Sequence, residues 1–77
     1  MDELLKRITI NPQVMMGKPV VKGTRITVEH IMRELAAGLS PDDLIDAHPH
    51  IAQEDIRAAC AYAAASLADE RILVSAE

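Results

Sequence analysis

"VEHIMRELAAGLSPDDLIDAHPHIAQEDI", residues 28–56, reads as three helices separated by two punctuation points. Val28, Ile31, Met32, Leu35 and Ala36 recur at i, i+3, i+4, i+7 and i+8, which sets them on one face of a helix. Gly38 stands where a left-handed residue closes such a helix. Ser40-Pro41-Asp42-Asp43 then opens a second one. The Ser40 hydroxyl caps, Pro41 fits the first helical position, and two carboxylates favour the positive end of the dipole. Leu39 and Leu44 occupy the two positions of a hydrophobic staple. This second helix is short and stops near His48-Pro49. A third begins near Gln53, its entry stapled by Ile51 and Ile56. Along it, Ile56, Ala59, Cys60, Ala63 and Leu67 mark the expected buried face. Ala58, Ala61 and Ala65 keep the cylinder thin enough for another helix to approach.

Upstream of residue 28 the pattern changes period. MDELLKR is a charged entry with the makings of a helical turn. Arg7-Ile8-Thr9-Ile10 alternates polar and β-branched apolar residues, a strand signature, and Asn11-Pro12 stops it. Val20-Val21 and Ile26-Thr27-Val28 read as short strands around a turn at Lys22-Gly23. Pro19, which has no amide hydrogen for a ladder, belongs at a strand start or edge. The predicted fold is mainly α: a short N-terminal β-element over residues 1–28, then a three-helix, helix-turn-helix-like bundle over residues 28–75, in a single domain spanning 1–77.

At 77 residues the core is modest, because a chain of this size buries only roughly 60% of what its unfolded form exposes. Tyr62 is the sole Phe, Trp or Tyr side chain, so the core is aliphatic. No apolar run reaches the roughly 18 residues of a membrane span, and the N-terminus does not read as a signal peptide. A lone Cys60 cannot close an internal disulfide, which makes the cytoplasm the expected compartment.

Chemistry-bearing patterns are sparse. His48-Pro49-His50 places two histidines together, but the proline prevents helical i, i+4 presentation, and turn histidines without a metal are expected. His30 reads as a half-exposed helix residue and Cys60 as a small buried hydrophobe. Asp42, Asp43 and Asp46 are accounted for by capping and a solvated face. No phosphate loop, nucleophile elbow or metalloprotease motif occurs. The chain is expected not to be an enzyme and to need no cofactor.

Charge is more telling. Residues 1–33 carry six bases against three acids, a net +3; residues 34–77 carry two bases against nine acids, a net −7. With a Debye length of about 8 Å at physiological salt, the basic half acts almost independently of the acidic one if the two lie on opposite sides of the domain. The basic residues concentrate in "GKPVVKGTRITV", residues 17–28, which holds Lys18, Lys22 and Arg25. The helix expected to be the recognition helix of a helix-turn-helix opens instead with Gln53-Glu54-Asp55, whose carboxylates oppose phosphates. A basic strand segment, as in β-ribbon readers, is therefore the better candidate for DNA contact. Near absence of aromatics argues against stacking on single-stranded RNA. Arg25 has a second reading, in which it pairs with Asp46 or Glu54 to dock the hairpin on the helices.

From "RITINPQVMMGKPVVKGTRITV" through "GLSPDDLIDAHPHIAQEDI" the chain resembles the small prokaryotic family called domain of unknown function 433 (DUF433). Its pattern is G-K-P-x-x-x-G-T-R-I-x-V, a helix ending in G-x-S, an H-P step and an E-D-I helix. The block falls on Gly17, Lys18, Pro19, Gly23, Thr24, Arg25 and Ile26. Met15-Met16, Thr27 and Ala52 depart from the family's usual choices, Ala52 at the N-cap place before the third helix. The resemblance implies a homeodomain-like helix-turn-helix fold and the role of antitoxin in a toxin–antitoxin pair, with a PIN-like ribonuclease as the toxin. On that reading Lys18, Lys22, Thr24 and Arg25 contact operator DNA. Asp69, Glu70, Ile72, Leu73 and Val74 meet the toxin, whose RNA-gripping groove is expected to be basic. A homodimer is expected, since Ile8, Ile10, Val20, Val21, Ile26 and Val28 offer strand edges and apolar surface. Two other readings stand beside it: a stand-alone DNA-binding regulator, and an interaction module that does not bind DNA.

Overall fold

The computed structural model describes residues 2–68. In chain order the elements are α1 (Asp2–Leu5), β1 (Ile8–Thr9), β2 (Val20–Val21), α2 (Val28–Ala36), α3 (Pro41–Ala47) and α4 (Gln53–Ala68), with a 3-10 turn at Met15–Gly17 between the strands. The fold is mainly helical with a short antiparallel N-terminal sheet, as the sequence predicts, and the entry segment forms a one-turn helix of its own.

Ile8 stands opposite Val21 and Thr9 opposite Val20. On its other side β2 is met by the chain returning toward α2: the Val21 N–H donates to the Ile26 carbonyl at 2.9 Å, and the Val28 N–H to the Pro19 carbonyl at 3.0 Å. The strand expected over Ile26-Thr27-Val28 is reduced to one bridge, between Val20 and Thr27. Thr27 explains why. Its extended backbone is the N-cap of α2, its hydroxyl accepting the His30 N–H at 2.9 Å, so a helix begins where a strand would have continued.

The hairpin turn is Val21-Lys22-Gly23-Thr24. The Thr24 N–H donates to the Val21 carbonyl at 2.9 Å, and Gly23 has φ +81°, the positive value a type II turn needs at its third position. Further upstream, Met15, Met16 and Gly17 form a left-handed run at φ 49°, 58° and 81°. Each non-glycine residue there costs about 1–2 kcal/mol. Hydrogen bonds from the Gly17 N–H to the Val14 carbonyl (3.1 Å) and from the Lys18 N–H to the Met15 carbonyl (3.2 Å) offset part of that strain.

Helix ends follow local chemistry. Beyond α2, the Gly38 N–H donates to the Leu35 carbonyl at 3.0 Å and the Leu39 N–H to the Glu34 carbonyl at 3.1 Å, a Schellman closure with Gly38 at φ +100°. At α3 a reciprocal capping box forms: the Asp43 N–H donates to Ser40 Oγ at 3.1 Å and the Ser40 N–H to Asp43 Oδ2 at 2.8 Å. The Ser40 amide first, and its hydroxyl second, hold the Asp43 carboxyl below the ordinary aspartate range. A depressed folded-state value means stability that is present above about pH 4, the unfolded value, and is lost as pH falls through the folded one. Urea midpoints of wild type and Asp43→Asn should therefore differ at pH 7 and converge toward pH 3.

Ala52 has no side chain with which to cap α4, and Asp55 takes over. Its buried carboxylate accepts the Ala52 N–H on Oδ2 at 2.8 Å and the Arg7 guanidinium on Oδ1 at 3.1 Å. One carboxylate thus starts α4 and ties the end of the β1 segment to it. Asp55→Ala should lose about 1–3 kcal/mol, since a cap and a charged hydrogen bond go together. A lower urea midpoint at unchanged m-value would register this.

The core is one cluster of Val21, Val28, Ile31, Leu44, Ile51, Ile56 and Ala59, flanked by Ile8, Ile26, Met32, Leu35 and Tyr62. α1, α2, α3 and β1 all pack on α4. That helix does not bury the whole face expected of it. Asp55, Ile56, Ala58, Ala59 and Ala61 are inside, whereas Cys60 and Leu67 are exposed. The buried face is thus displaced from the predicted one toward Asp55, whose carboxylate is satisfied there by Arg7 and the Ala52 amide. Alanines at almost every neighbouring position permit that displacement at little steric cost.

Candidate nucleic-acid interface

The four residues predicted to contact DNA lie on one hairpin but have different duties. Thr24 is half-buried and structural: its hydroxyl donates to the Val21 carbonyl at 2.8 Å and accepts the Ile26 N–H at 3.0 Å, bracing the turn. Lys18 Nζ pairs with Glu29 Oε1 at 3.1 Å. Glu29 also takes Arg33 at 2.8 Å, one turn along α2. The Lys18 hydrogen bond first, then the Lys18 and Arg33 charges, hold the Glu29 carboxyl below the ordinary glutamate range. A phosphate reaching Lys18 must compete with that carboxylate.

Lys22 and Arg25 differ from these. Both are exposed, and neither forms an ion pair among the described residues. Lys22 is the second residue of the type II turn and Arg25 follows its last. The backbone beneath is fixed, with the Lys22 N–H donating to the Arg7 carbonyl at 2.8 Å. Arg25 also borders a shallow depression with Thr9, Asn11, Val14 and Gly23. The proposed pairing of Arg25 with Asp46 or Glu54 is not formed; the arginine that docks the β-element is Arg7, and its acceptor is Asp55. With Asp55 committed inward, Glu54 is the acid left exposed in the first turn of α4.

Two grooves flank Tyr62 on the C-terminal half of α4. One is lined by Pro19, Val28, Met32, Ala63 and Leu67, the other by Leu5, Ile8, Ile10 and Ala65. Much of the apolar surface expected to drive dimerisation is used within the chain instead: Val20, Val21 and Val28 are buried and Ile8 and Ile26 half-buried, leaving Ile10 at 55% exposure. The residues predicted to meet a partner, Asp69, Glu70, Ile72, Leu73 and Val74, lie outside the described residues.

One grouping had no clear signal in the sequence. His48, read there together with His50, instead meets His30 and Glu34 from α2, with both histidine Nε2 atoms directed at Glu34 Oε1. Among the described residues no helix is long and apolar enough to cross a membrane.

Comparison with known proteins agrees with the fold. The sequence profile of the family described as "Protein of unknown function (DUF433)" matches residues 8–63. The chain is 39% identical over 59 residues to the uncharacterized protein y4eO of Sinorhizobium fredii, a match covering 77% of this chain and 27% of that protein. It is also similar to the crystal structure of a DUF433 member protein from Anabaena variabilis, with a TM-score of 0.76 at 28% identity, over 83% of this chain and 63% of that one. The chain thus spans about a quarter of the first relative and under two thirds of the second.

Proposed function

The chain belongs to the DUF433 family, and on that premise we propose that it is the antitoxin of a type II toxin–antitoxin pair. It acts in the cytoplasm as a homodimer, neutralises a PIN-like ribonuclease and binds its own operator DNA. The observation that carries the DNA part is the pair Lys22 and Arg25: two exposed cations without ion-pair partners among the described residues, on a turn locked by Thr24 and Gly23. The turn fixes the backbone that carries both charges before DNA arrives, so only their side chains remain to be ordered on phosphate contact. α3 and α4, joined by residues 48–52, supply the helix pair that a helix-turn-helix requires. Here they serve as the scaffold, and the hairpin makes the contact.

Toxin binding is assigned to the acidic part of the chain. Residues 34–77 carry a net −7, complementary to the basic groove expected of a nuclease that grips RNA. The grooves beside Tyr62 on the same helix add apolar area that a partner could cover. Deleting the residues after Ala68 removes Asp69, Glu70 and the Ile72-Leu73-Val74 run. In cells expressing a PIN-like nuclease that the full chain neutralises, the truncated chain should no longer restore growth, while it still shifts the upstream DNA. Growth restored in full by the truncated chain would move the toxin interface elsewhere. A chain that neutralises the toxin but shifts no DNA at any salt concentration would leave only the interaction-module reading.

A further inference from the structure

His30 and Glu34 sit one turn apart on α2, so their side chains rise from the same face. His48 comes from a different element, as the residue closing α3. Its position is fixed from both sides: its N–H donates to the Leu44 carbonyl at 2.9 Å, and its carbonyl accepts the Ile51 N–H at 3.0 Å. The His48 ring reaches Glu34 Oε1 through Nε2 at 3.0 Å, and His30 Nε2 contacts the same oxygen. The two imidazoles meet edge to face, with centroids 5.5 Å apart and planes at 80°. Donor atoms of all three residues lie within 4.8 Å of one another.

From this geometry we propose that His30, Glu34 and His48 form a binding site for a borderline divalent transition-metal ion of the Zn(II) class. Two imidazole nitrogens and one carboxylate oxygen are the donor set such ions accept, and three protein ligands leave a position for water. Ligand atoms around a tetrahedral zinc are roughly 3.3 Å apart, from bond lengths of about 2.0–2.2 Å. His48 Nε2 is already 3.0 Å from Glu34 Oε1, and all three donor atoms lie within 4.8 Å of one another, so the separations to be adjusted are small. Glu34 and His48 are shielded, at 19% and 23% side-chain exposure, while His30 at 52% keeps the entrance open. The carboxylate partly neutralises the dication, and the bound ion ties α2, through His30 in its first turn and Glu34 in its last, to the end of α3. This clamp lies apart from the Lys22–Arg25 turn and is independent of the antitoxin reading.

The test is calorimetric titration of Zn(II) into the full chain, purified without a histidine tag. One saturating equivalent is expected, with a concentration-dependent rise in melting temperature. Loss of even an outer hydrogen-bond partner of a metal site costs about 10–100-fold in affinity, so His30→Ala and Glu34→Gln should each lose at least that much. His30 is half solvent-exposed and Glu34→Gln preserves shape, so both variants should remain folded, which circular dichroism checks. His50→Ala and Cys60→Ser should bind as wild type does. Visible absorption of the Co(II)-loaded chain, intense for a four- or five-coordinate ion, should vanish in the same two variants. No saturable uptake by wild type, or uptake undiminished in His30→Ala, would overturn the proposal and leave a hydrogen-bonded His–Glu–His bracket.

Discussion

Ile31→Ala is expected to cost about 2–5 kcal/mol of folding stability. A chain of 77 residues holds roughly 4–12 kcal/mol in total, so this single change can unfold a large share of the molecules at 25 °C. The side chain is fully buried at the middle of the core cluster. Collapse around the missing atoms is hindered, because α2 is held at both ends, by the Thr27 cap and by the Gly38 closure. The cavity should persist and the loss fall in the upper part of the range. Leu67→Ala is the control: at 52% exposure it should shift stability by no more than about 0.5 kcal/mol. Urea unfolding of both variants gives the comparison, and a loss below about 1 kcal/mol for Ile31→Ala would contradict this core.

The same two ends show what a sequence discloses most readily. Ser40-Pro41-Asp42-Asp43 and Gly38-Leu39 are read correctly because capping chemistry links residues three or four apart, and the chain alone sets those distances. Thr27 was ambiguous for a comparable local reason. Threonine is both a strand former and an N-cap, and only the direction of the helix beyond it decides between them. Met15 and Met16 gave no sign of left-handed backbone, since methionine has no special preference for it; Gly17 alone signalled a turn.

The candidate sites were harder to read, because their partners are distant in sequence. Arg7 and Asp55 are separated by 48 positions, and the sequence points instead to Arg25 with Asp46 or Glu54 as the pair that docks the hairpin. Asp55 is buried and Cys60 exposed on α4, an orientation that no periodicity in an alanine-rich helix could announce. In sequence His48 stands beside His50, whereas its neighbours in space are Glu34, 14 positions away, and His30. The i, i+4 spacing of His30 and Glu34 was visible; the third ligand required the packing of α2 against α3.

Lys22→Glu combined with Arg25→Glu is expected to abolish operator binding. The pair is the better test of the hairpin than any change at Lys18, where a new carboxylate would also repel Glu29 and disturb α2. Both target side chains are exposed and make no ion pair among the described residues, so folding stability should stay within about 0.5 kcal/mol. In a dimer each cation appears twice. Neutralising four phosphates gives a log–log salt slope of roughly −3.6, which corresponds to an affinity loss of roughly 150-fold between 50 and 200 mM salt. A slope of about −1.8 would mean that one chain binds alone. Charge reversal replaces each of those attractions by repulsion, so no shift of the upstream DNA should remain at 50 mM salt. Toxin neutralisation should persist in the same variant, because the acidic residues beyond position 33 are untouched. Fluorescence anisotropy on the upstream DNA across a salt series reads the affinity and the slope together. An affinity equal to wild type would assign Lys22 and Arg25 to the solvated surface and leave the hairpin as a structural support for α2.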